Sequence, residues 1–108
     1  MTEACVVITT CGSEETALTI ASGLVDQGLA ACVNILPSIK SYYYYQGGTH
    51  LDEEVMLIIK TTTELFDQVS IVISDLHTYE VPEILMLPVE GTSPSYMDWL
   101  RQAVTRVD

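Results

Sequence analysis

Apolar and polar positions follow two periods along this chain. Residues 5–11 (CVVITTC) form a β-branched run of strand length. Ser13 then caps a helix, with Glu14 and Glu15 at the positive end of its dipole. Ala17, Leu18, Ile20, Ala21, Leu24 and Val25 recur at helical spacing. Gly28, free to take positive φ, ends that helix, and Gly23 inside it marks weakening or the close approach of another element. Residues 30–36 (AACVNIL) read as a buried strand, bent or bulged at Pro37, which has no amide proton for a ladder. The chain resumes extended through Ile39 and Tyr42, Tyr43, Tyr44 and Tyr45. Gly47-Gly48 predicts a hairpin turn, with the return strand at 53–61 (EEVMLIIKT). Thr63 and Glu64 open a second helix striped by Leu65, Phe66, Val69, Val72, Ile73 and Leu76. A strand at 83–89 (EILMLPV) follows. Ser93-Pro94 then starts a last helix with Tyr96, Met97, Leu100, Ala103, Val104 and Val107 on one face.

The order is β-α-β-β-α-β plus a C-terminal helix. It predicts an α+β, ferredoxin-like fold: a four-stranded antiparallel sheet with two helices on one face, in a single domain over 1–108. That architecture hosts many activities, so function must come from particular residues.

Composition narrows the classes. The chain is 48% apolar with a mean hydropathy of +0.29, oily for 108 residues. A domain of this size leaves much surface uncovered, so the surplus reads as a subunit interface, with a tight core as the alternative. Fifteen carboxylates against four cationic side chains give a net charge of −11. That charge repels phosphate backbones and anionic membranes and attracts cations. No apolar run reaches the length of a membrane span, and the first residues lack the basic region of a signal peptide. Cys5, Cys11 and Cys32, odd in number and without CxxC spacing, suit reduced thiols in a cytoplasm.

Candidate chemistry is sparse. His77, after the second helix and close to Tyr79 and Glu80, can be a metal ligand or a partner for the helix C-terminus. Cys32 can be a small core residue or a thiolate ligand. Glu54 and Lys60 share one face of the return strand, too far apart to touch. The tyrosine run suits interface packing or ligand contact, and His50 beside the turn reads as solvated. GxSxG, P-loop, GxGxxG and HExxH patterns are missing, and no organic cofactor is implied.

The stretches LAACVNILPSIKSYYYYQG (29–47), EEVMLIIKT (53–61) and HTYEVPEILMLPV (77–89), with Tyr96 and Trp99, resemble the divalent-cation tolerance (CutA) family over nearly the whole chain. The resemblance implies a homotrimer similar to PII signalling proteins and binding of divalent metal, copper above all, without catalysis. A PII-like small-molecule sensor is the alternative. Carried over by position, His77, Cys32 and Glu54 become metal candidates. Tyr43, Tyr45, Lys60, Tyr79, Glu83 and Trp99 become cleft-lining candidates. Three residues depart from the family pattern: Tyr45 in place of tryptophan, Gly48 in place of a common lysine, and Thr78 in place of the proline after the histidine.

Overall fold

A computed structural model describes residues 2–105, so Val107 of the expected last-helix face lies outside the described residues. The elements are β1 (Ala4–Cys11), α1 (Glu14–Val25), β2 (Cys32–Tyr45), β3 (Gly48–Thr62), α2 (Phe66–Leu76), β4 (Leu85–Pro88) and α3 (Pro94–Thr105). A single 3-10 turn, Thr63–Leu65, leads into α2. The four strands pair antiparallel in the order β2-β3-β1-β4, the sheet expected of a ferredoxin-like chain.

Alternation along the strands divides the sheet into two faces. Cys5, Val7 and Cys11 of β1 and Val55, Leu57 and Ile59 of β3 are buried against α1 and α2. The Ser13 side chain accepts the Thr16 amide at 3.1 Å, confirming the α1 cap. A Cβ on Gly23 would sit 2.8 Å from Leu76 Cδ1, so the glycine lets α2 come close. The tight α1 stripe is Ala17, Ile20, Ala21 and Leu24; Leu18 falls outside it and is exposed.

The opposite face carries Val6, Ile8, Met56, Ile58, Leu85 and Leu87, none fully buried. One end is covered by Met97 and Leu100 of α3, which pack with Ala4, Ala31 and Val89. Among the described residues the strip carrying Leu36, Leu85 and Leu87 is open.

The Pro37 bulge has a consequence for this face. Leu36 pairs with Met56 and Ile39 with Glu54, so two β2 residues stand opposite Val55 alone. Ser38 takes φ 61 to make the kink. The extra residue exchanges the faces of β2. Cys32, Asn34 and Leu36 lie on the open side before it; Ser41, Tyr43 and Tyr45 lie there after it. Two expectations are corrected. The hairpin turns at Gln46-Gly47, both at positive φ, with Tyr45 paired to Gly48. The two-residue loop is the short connection that suits strand twist. β4 runs Leu85–Pro88, because Glu83 and Ile84 have no strand partner among the described residues.

Candidate functional site

A cleft of about 420 Å³ opens at the Glu54 end of the uncovered face. Its walls come from four places: Thr10 of β1, Ser41, Tyr43 and Tyr45 of β2, Glu54 of β3, and Tyr79, Glu80, Val81 and Glu83 of the α2–β4 connection. Glu54 is the innermost charge, only 8% exposed. Its Oε2 accepts the Tyr79 hydroxyl at 2.7 Å. Burial first, then this bond and the carboxylate's charge, push the Tyr79 phenol well above its ordinary pKa. Tyr79 lies across Gly12, where a Cβ would be 3.4 Å from its hydroxyl. Tyr43 stacks on His50 with ring centroids 5.4 Å apart and donates its hydroxyl to Asp52. That bond raises the Tyr43 phenol.

His77 stands behind this wall rather than in it. It is the C-cap of α2. One ring nitrogen, Nδ1, accepts the Tyr79 amide at 3.0 Å; Nε2 lies 2.7 Å from the Thr10 carbonyl. A carbonyl only accepts, so the proton sits on Nε2 and the Nδ1 lone pair is taken. The imidazole thus ties the α2–β4 connection to β1 and aims Tyr79 at Glu54.

The remaining expected residues gather elsewhere. Cys32 pairs with Lys60, six positions along β3 from Glu54, roughly 20 Å at strand rise. Lys60 donates to Asn34 Oδ1. Trp99 packs on Tyr96 at 5.4 Å in α3. A second cavity of about 370 Å³ lies here, between Lys60, Val6 and the start of α3. Within one chain, therefore, Tyr43, Tyr45, Glu54, Tyr79 and Glu83 converge, whereas Cys32, Lys60 and Trp99 do not join them. Among the described residues no three His, Cys, Asp or Glu side chains come close enough to hold a metal ion. One chain alone does not supply a copper site from His77, Cys32 and Glu54. Burial raises the Cys5 and Cys11 thiols, which keeps both protonated.

Sequence reasoning missed Thr10, Ser41, Glu80 and Val81 as lining residues. Glu80 and Val81 sit inside the recognised 77–89 stretch. Ser41 could have been found by counting the bulge into the alternation. Thr10 had no signal of its own.

The family model described as CutA1 divalent ion tolerance protein matches residues 5–103. A Thermus thermophilus divalent-cation tolerance protein CutA is 47% identical over 97 residues, which cover 90% of this chain and 94% of that protein. Protein CutA of Mus musculus is 40% identical over 91% of this chain, which spans 55% of the mouse protein's length. A solved structure of a Thermus thermophilus divalent cation tolerance protein, Cut A1, superposes with a TM-score of 0.90 at 46% identity. That match covers 93% of this chain and 97% of the other.

Proposed function

The chain belongs to the CutA1 divalent ion tolerance family, and from that premise we infer that it is a cytoplasmic homotrimer that binds divalent cations and catalyses nothing. The observation that carries this reading is Glu54. A carboxylate buried at the base of a cleft that also presents Glu80 and Glu83, with no cationic side chain among the described residues of its lining, is a place built for positive charge. Assembly is supported by the open face: exposed Leu36, Leu85 and Leu87 continue a half-buried apolar field, which normally marks a partner surface.

Copper is the ion that His77 and Cys32 would suit, as imidazole for copper(II) and thiolate for copper(I). Such a site needs two copies, one supplying the Glu54–His77 side and a neighbour supplying Cys32. His77 would also have to release the Tyr79 amide. Copper(II) titration in excess magnesium and salt tests this, on wild type and on His77→Ala, Cys32→Ala and Glu54→Ala. The expected result is retention by wild type and at least a tenfold loss in Glu54→Ala. Equal, salt-sensitive binding by all four would reduce the interaction to diffuse attraction by an acidic surface.

The tyrosine lining of the cleft favours one other reading, a PII-like trimer that senses a small molecule. No helix among the described residues is long and apolar enough to cross a membrane.

A further inference from the structure

Three features of the cleft constrain which cation it takes. The first is its donor set. Carboxylates and hydroxyls line it, the imidazole lone pair is spent on the Tyr79 amide, and the thiol of Cys32 is roughly 20 Å off along the strand. Within one chain, soft and borderline metals lack their preferred ligands here. The second is spacing. A small metal ion needs several donors converging within about 2.0–2.6 Å of one point, and the described carboxylates do not gather that closely. A cleft of about 420 Å³ is instead the size of a small organic ligand. The third is the aromatic wall. Tyr43, Tyr45 and Tyr79 line it together, Tyr43 stacked on His50 and Tyr79 packed on His77, and a π face attracts an organic ammonium within about 6 Å with no need for tight coordination.

Glu54 adds an observation of its own. It is more than nine-tenths buried, and the Tyr79 hydroxyl occupies Oε2 only. Among the described residues the buried side-chain polar atom left without a partner is Thr9 Oγ1, so the second Glu54 oxygen is not sealed off and unpaired. An incoming N–H⁺ group would add a charge-assisted bond to this carboxylate from the cleft side. The cleft is also elongated: Ser41 and Tyr45 are four positions apart on one face of β2, about 13 Å.

We propose that this cleft binds an extended aliphatic amine, one ammonium on Glu54 and the chain running along the tyrosine wall towards Tyr45. This rests on the reading of the cleft as a cation site and names the class of cation. Glu80 and Glu83 offer further ammonium contacts at the rim. Tyr45 is the cleanest probe of the aromatic wall, because its ring is tied to no neighbour among the described residues, unlike Tyr43 and Tyr79.

The test is calorimetric titration of the assembled protein at fixed salt with spermine, and with tetraethylene glycol as an uncharged chain of similar length. Spermine binds and the glycol does not. Glu54→Gln weakens spermine by about 10–100-fold through loss of a charge-assisted bond. Tyr45→Leu weakens it by about 2–30-fold through loss of the π face. The double variant Glu14→Gln/Glu15→Gln removes twice the charge of Glu54→Gln from exposed α1 and leaves the affinity within twofold. Circular dichroism and solution mass confirm that each variant is folded and assembled.

The proposal is overturned if the glycol binds as well as spermine, if Tyr45→Leu has no effect, or if the α1 variant loses as much as Glu54→Gln. Glu54-dependent binding of copper(II) or magnesium without spermine binding sinks the amine and leaves the divalent-cation reading standing. Spermine binding without any divalent binding does the reverse for the metal. No binding of either ends both.

Discussion

The two ends of the open sheet face differ in every respect that matters to a ligand. At the Glu54 end, oxygen donors and tyrosine rings surround a buried carboxylate, and a histidine locked to the backbone holds the wall in place. At the Lys60 end, an ammonium bound to Asn34, the Cys32 thiol and the Tyr96–Trp99 pair sit beside α3. The two ends share β3 and lie on the same side of it, yet roughly 20 Å of strand keeps them apart. Same-face alternation groups residues by side of a sheet, not by site. Whatever needs both chemistries at once must take them from two chains.

The sharpest way to break the comparison is to remove what the two ends share. Ile59 is fully buried in the core row of β3. Ile59→Ala should cost about 2–5 kcal/mol in denaturant unfolding. Both ends should loosen together, read by hydrogen exchange at Tyr79 and at Asn34. Loss of protection at one end alone would show that they fold independently.

Next in size is His77→Ala. A strut that bonds Thr10 and Tyr79 should cost about 1–3 kcal/mol in metal-free protein, because two polar backbone groups lose their partner. A histidine whose only work is to hold a metal would leave metal-free stability unchanged.

Tyr79→Phe follows, at about 1 kcal/mol near neutral pH, and it carries a pH signature. The folded state raises the Tyr79 pKa, by burial and by the Glu54 carboxylate. Its contribution is therefore complete below the ordinary tyrosine value of about 10 and is lost as pH rises beyond it. Wild type should weaken over that alkaline range more than Tyr79→Phe does, measured as the shift in unfolding midpoint between neutral and alkaline buffer. Parallel shifts would contradict the assignment.

The smallest effect belongs to the other end. Lys60→Met should change stability by less than about 1 kcal/mol, since the side chain is only half-buried and its partner is a neutral amide. Its cleft-lining role was expected from sequence: unchanged cation binding in the assembled variant would place Lys60 outside the Glu54 site, and altered binding would show that a neighbouring copy brings it there beside Cys32.

Much of this arrangement was legible in the residues. The stripe Ala17, Ile20, Ala21 and Leu24, the Ser13 cap and the bulge at Pro37 follow from local rules and stand as expected. Leu18 was misplaced because it is apolar and adjacent to the stripe, although helical geometry rotates it towards solvent. The site was harder to read because its decisive contacts are distant in sequence. His77 meets Thr10 across 67 residues, and Tyr79 meets Glu54 across 25. A motif can announce that His77 matters. Only the folded chain reveals that its lone pair is already engaged.

The idea that like copies cover the open face, bringing a Cys32 end towards a Glu54 end, can be read directly from mass in solution. Sedimentation equilibrium at micromolar concentration should give three times the 11.9 kDa chain mass, with Leu85→Glu/Leu87→Glu shifting it towards one. A wild-type mass of 11.9 kDa under the same conditions would leave the apolar face without its partner and the two ends permanently separate.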